Sequence, residues 1–150
     1  MAMVLCAGVV KLRTEFPPHG QSLDAWLDRS EPIGGYPCGA ARFVDTHLTP
    51  TTGRLINEFG WGGYLEWRLG EHYQTLLDGR TQCFSAEFWR NTYLGDRGQQ
   101  EAFFSTVSAD AAILPSRDSK FEDILIRQGW QVAYRDDRAL VLTFARHIAR

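Results

Sequence analysis

Glu58 and Asp78 each follow a short apolar stretch, Leu55-Ile56 before the first and Leu76-Leu77 before the second. Two acids at neighbouring strand ends could share work as general acid and base. They stand close in sequence to Arg54 and Arg80, so they read equally as two solvated charges. Asn57 precedes Glu58, and Trp61 and Tyr64 lie between the two acids: an amide, an indole and a phenol that can contact a polar ligand. Gly62-Gly63 either belongs to such a site or simply lets a turn close. The candidate ligand-binding residues are therefore Asn57, Glu58, Trp61, Tyr64, Asp78 and Arg80, and no catalytic residue is assigned.

Other chemistries lack their patterns. GWGGYL does not have the G-x-G-x-x-G spacing, and the P-loop motif is absent from the chain. No serine sits in a G-x-S-x-G elbow. His19, His47, His72 and His147 have no partner at metal-ligand spacing and read as surface histidines. Cys6, Cys38 and Cys83 form no C-x-x-C, so a zinc site is not expected; they read as small buried thiols, or as one disulfide and a spare. No metal and no cofactor is implied.

The elements that must position the candidate residues form a βαβ unit over residues 54–80. A strand around Leu55, Ile56 and Phe59 ends in Asn57, Glu58 and Gly60. A helix opens at Trp61-Gly62-Gly63 and runs to Leu69, and a strand over residues 73–77 ends in Asp78-Gly79-Arg80. Both strands of such a unit point the same way, so the polar ends share the carboxyl edge of a parallel sheet, where open α/β sheets bind ligands.

Upstream, Pro17-Pro18 marks a linker, Ser22 caps a short helix, and Pro37 opens a helix with Ala40, Phe43, Val44 and His47 or Leu48 on one face, ended by Pro50. Downstream, Ser85 opens an aromatic helix with Phe88, Trp89 and Tyr93, broken by residues 95–98. A second helix carries Ala102, Phe103 and Val107, and residues 111–115 form a short apolar strand. Ser119 with Glu122 predicts a capping box, and Gly129 a helix stop. Residues 130–134 and 139–144 predict a hairpin with one buried face, carrying Val132 and Tyr134 on its first strand. The expected fold class is α/β: a three-layer sandwich whose mixed sheet has three parallel strands plus a C-terminal antiparallel hairpin.

With 150 residues the chain holds one domain, expected over 21–150, preceded by an N-terminal segment and linker over 1–20. Its net charge of −2 creates no positive field for nucleic acid. Residues 3–10 are apolar but far short of the roughly 20 needed to span a bilayer.

A stretch from Tyr36-Pro37 to Leu48 is followed by Asn57, Glu58, Trp61, Gly62, Gly63, Tyr64, Leu65 and Trp67, then Asp78-Gly79-Arg80, then AAILP, then Trp130, Tyr134, Asp136 or Asp137, Ala139 and Val141, an ordered set over about residues 36–145. It resembles the soluble C-terminal domain that follows the membrane helices in bacterial polytopic proteins of the lipid-linked-sugar glycosyltransferase superfamily, the dolichyl-phosphate-mannose-mannosyltransferase-like group. A more distant similarity runs to the C-terminal domain of oligosaccharyltransferase catalytic subunits. Here Gly60-Trp61-Gly62-Gly63-Tyr64 lacks the Asp and paired Trp of their W-W-D-Y-G segment, so peptide reading is not carried over.

The resemblance implies an accessory, non-catalytic, extracytoplasmic domain whose partner is the membrane-embedded transferase region of the same protein, with a glycan or peptide acceptor as further contact. Residues 4–10 would then be the remnant of the last membrane helix, although Lys11 and Arg13 favour the opposite side of the membrane. The alternative is a free-standing cytoplasmic α/β domain binding a small anionic ligand at the same edge.

Overall fold

A computed structural model describes residues 19–27, 35–48, 52–117 and 119–144. The expectations for residues 1–18, Cys6 among them, for Pro50 and for His147 lie outside the described residues. The chain divides into two compact units, Met1–Cys38 and Gly39–Arg150. In the first, helix α1 (Leu23–Leu27) is capped by Ser22, whose Oγ accepts from the Ala25 N–H at 3.2 Å. The second contains all of the candidate chemistry.

Helix α2 (Cys38–His47) follows Pro37, whose missing N–H costs nothing at a helix start. Ala40, Val44 and Leu48 are buried along its inner face. Strand β1 (Gly53–Asn57) leads through a tight turn (Phe59–Trp61) into helix α3 (Gly62–Leu69), and strand β2 (Tyr73–Thr75) follows. Phe59 belongs to the turn and not to the strand, because the chain bends directly after Glu58. The next segments are α4 (Ala86–Trp89), a wider π turn (Arg90–Leu94), α5 (Arg97–Thr106), β3 (Ala111–Pro115), α6 (Glu122–Arg127), β4 (Gln131–Arg135) and β5 (Ala139–Thr143).

The five strands form one mixed sheet in the order β2-β1-β3-β5-β4. β1 pairs in parallel with β2 and with β3, while β5 runs antiparallel to both β3 and β4. On one face Ile56, Ala112, Leu114, Leu140 and Leu142 pack with Phe104 of α5 and with Phe121, Ile124, Leu125 and Trp130 around α6. On the other face Tyr73 donates its hydroxyl to the Leu48 carbonyl at 2.9 Å, and Tyr134 stacks on Phe43 of α2.

Three local expectations are corrected. β5 is buried along its whole length, because both of its faces are covered: Leu140 and Leu142 lie in the core under α5 and α6, and the alternate residues Ala139, Val141 and Thr143 are buried as well. The edge falls to β4, where the register shifts between Val132 and Tyr134 and Val132 is exposed. The capping box is at Asp96 and Gln99, opening α5 with reciprocal bonds of 2.9 and 3.0 Å. At Ser119 only half of a box forms, since Ser119 Oγ accepts from the Glu122 N–H while the Glu122 carboxylate pairs with Arg135. Gly129 ends α6 as expected: at φ +90° it occupies the left-handed region that glycine tolerates, and the Trp130 N–H returns to the Leu125 carbonyl.

Candidate functional site

β1 is the middle of the three parallel strands, and the chain leaves it first toward β2 and later returns on its other side as β3. The strand order reverses there, so the crevice beyond the carboxyl ends of β1 and β3 is the topological switch point. Glu58 is the first residue past β1. Its N–H donates to the Ile113 carbonyl of β3 at 3.3 Å, which anchors its backbone across that gap.

The Glu58 side chain is half-buried. Burial pushes its carboxyl above the ordinary value of 4.5, against the Phe59 N–H, the Lys120 ammonium and the Tyr93 hydroxyl, which all favour the charged form. Tyr93, from the π turn, accepts the Phe59 N–H at 3.1 Å. Burial first, and the neighbouring Glu58 charge second, push its phenol upward, so it stays protonated and can donate to Glu58. Lys120 Nζ lies 6.0 Å from the centre of the Tyr93 ring. Carboxyl, phenol and ammonium thus converge from three separate segments.

Aromatic rings back this group. Phe59 meets Trp89 edge-on at 5.5 Å, Trp89 lies 6.0 Å from Tyr93, Phe84 meets Trp89 at 5.9 Å, and Tyr93 meets Phe121 at 5.2 Å. Ser85 fixes α4 by accepting the Phe88 N–H at 3.1 Å, and this orients Phe88 and Trp89. The π turn adds a residue to the helical turn before Tyr93 and alters the direction in which that phenol leaves the chain.

The other candidate residues have different surroundings. Asn57 is fully buried: its Nδ2 donates to the Leu77 carbonyl at 2.7 Å and to the Glu58 carbonyl at 2.9 Å, and its Oδ1 accepts the Leu77 N–H at 3.2 Å. It extends the β1–β2 ladder beyond Thr75 with a side chain in place of backbone. A Cβ on Gly62 would stand 2.0 Å from the Leu77 carbonyl oxygen, so this glycine is required by close packing. Tyr64 is buried at 7% exposure, Trp61 is half-buried, and Trp67 is open to solvent at 63%.

Asp78 belongs to Arg80. It accepts the Arg80 N–H and Nε–H, each at 2.9 Å, and forms an ion pair with Nη2, which holds its carboxyl below the usual carboxylate range. The neighbours of Glu58 are Phe59, Tyr93 and Lys120, so the two acids have separate partners. Reading the sequence singled out Phe88, Trp89 and Tyr93 as an aromatic helix but did not connect them with Glu58, and Lys120 was missed. The one available signal was the recurrence of rings at 84, 88, 89 and 93, directly before a Gly-Asp break.

No group of three or more metal-ligating side chains occurs among the described residues. His19, His47 and His72 are exposed, as expected; Cys38 is buried, whereas Cys83 is exposed on the turn Thr81–Cys83. Two clefts lie away from the carboxyl edge. One of about 320 Å³ borders β1, β2 and the end of α5, and one of about 360 Å³ borders the amino ends of β1 and β2. Among the described residues no helix is long and apolar enough to cross a membrane.

Compared with protein families, with curated proteins and with solved structures, the chain matches none.

Proposed function

We propose that the carboxyl edge around Glu58 binds a glycan, and that the domain is a non-catalytic accessory to a membrane-embedded transferase acting on lipid-linked sugars, on the extracytoplasmic side. This reading takes the fold as a three-layer sandwich, three parallel strands followed by an antiparallel hairpin, with its site at the switch point.

The observation that carries it is the half-buried Glu58 carboxyl, flanked by the Tyr93 hydroxyl and the Lys120 ammonium in front of aromatic rings. Sugar hydroxyls donate to a carboxylate and accept from phenol and ammonium, while the C–H face of a pyranose packs on aromatic rings. A small anionic ligand is the poorer match, because the group nearest the crevice would repel it. Glu58 also lacks the second acid that general acid–base work would need, since Asp78 is committed to Arg80. Under this reading the chemistry of transfer belongs to the membrane region, and this chain supplies contacts to the glycan or the acceptor.

Calorimetry with short soluble oligosaccharides tests the reading. Saturable binding that Glu58→Gln weakens by at least about tenfold, with no loss of thermal stability, is the expected result. Absence of binding across neutral oligosaccharides, with tight binding of small anions instead, would replace the glycan by an anionic ligand at the same edge.

A further inference from the structure

On the α3 side of the sheet, β2 is covered: Thr75 Oγ1 donates to Glu66 of α3 at 3.0 Å, and Tyr73 reaches Leu48. The opposite face is different. There α5 and α6 pack over β1, β3 and β5, and no described helix continues over β2. Arg54 and Gln74 are paired in register and share that face with Ile56 and Leu76. The resulting cleft of about 320 Å³ is at the lower end of the range of small-molecule sites, about 300–1,000 Å³.

Its chemistry is one-sided. Leu76, Val107 and Ala109 are partly buried against the core and turn remaining apolar surface to the cleft. Gln74, Thr75, Thr106 and Ser108 add neutral polar groups, and Arg54 is the single charged residue in the lining. Among the described residues nothing forms an ion pair with the Arg54 guanidinium. Asp110 accepts the Arg54 backbone N–H at 2.9 Å and borders the neighbouring cleft.

We propose that this cleft binds a small monocarboxylate with a short aliphatic tail, the carboxylate pairing with Arg54 and the tail lying on Leu76, Val107 and Ala109. An unpaired guanidinium recognises a carboxylate through two parallel N–H donors, and the remaining exposed surface of the partly buried aliphatic groups gains by covering. The site is distinct from the Glu58 edge and does not depend on the glycan reading.

The test is an amide NMR titration of the full chain with hexanoate, repeated with hexan-1-ol, which has the same tail without the charge. Hexanoate is expected to give saturable shifts confined to residues 54–56, 74–76 and 106–109. Arg54→Gln weakens it by about tenfold with unchanged thermal unfolding, Arg54→Lys retains part of the affinity, and hexan-1-ol binds wild type as weakly as hexanoate binds Arg54→Gln. The proposal is overturned if no saturable shifts appear up to about 20 mM, if the shifts map elsewhere, or if hexan-1-ol and Arg54→Gln match hexanoate on wild type.

Discussion

The ends of β1 and β2 carry the same functional group in opposite circumstances. Asp78 is solvated by its own chain: Arg80, two residues on, supplies backbone and guanidinium donors, and the carboxyl is driven acidic. Glu58 is enclosed by residues brought from far along the chain, Tyr93 and Lys120, and burial drives it the other way. A carboxylate that satisfies itself locally makes a turn. One held in a half-dry crevice with donors on two sides is poised to exchange those contacts for a ligand's.

The largest effect expected between the two ends is structural. Asn57→Ala removes a fully buried side chain that answers both backbone groups of Leu77, and stranding them should cost about 2–5 kcal/mol, read as a lowered urea midpoint. Gly62→Ala places a methyl against the Leu77 carbonyl and should cost about 1–3 kcal/mol in the same assay. Both changes break the junction that holds the Asp78 loop against β1.

Glu58→Gln acts at the β1 end alone. A carboxyl whose folded pKa is raised takes up its proton more readily folded than unfolded, so its effect on stability is most favourable below 4.5 and is lost as pH rises through the folded value. The variant should therefore be more stable than wild type at pH 7 and equal to it near pH 4, as thermal melts across that range will show. Asp78→Asn has the reverse sign: its stabilisation is present above 3.8 and lost as pH falls through the lowered folded pKa. Solvent screening of this turn ion pair makes the loss at pH 7 the smallest effect of the four.

The contrast also marks where sequence stops being informative. Asp78-Gly79-Arg80 is a turn whose bonds span two residues, and it was legible as such. So were the apolar strand Ala111–Pro115, the Ser85 cap and the Gly129 stop, each governed by local chemistry. The βαβ unit was legible because periodicity switches from strand to helix and back within one run. Misplaced features were set by tertiary context. β5 has no exposed face because packing covers both sides of that central strand, and Glu122 left its cap for Arg135. Phe59 turned out of its strand toward Trp89, and Tyr64 lies in the core while Trp67, on the same short helix, is exposed. Of the six candidate ligand residues, Glu58 heads the site, Asn57 and Asp78–Arg80 are engaged with the fold, and the partners of Glu58 could not be read from a spacing of 35 residues between positions 58 and 93.

The measurement closest to the central claim is the titration of the Glu58 carboxyl by carbon-detected NMR, with and without a saturating soluble oligosaccharide. In the free protein the group is expected to titrate above 4.5, and glycan hydroxyls bonding to its charged form should draw the midpoint back down. A Glu58 that titrates at 4.5 in the free protein, or whose midpoint does not move at saturation, would contradict the account.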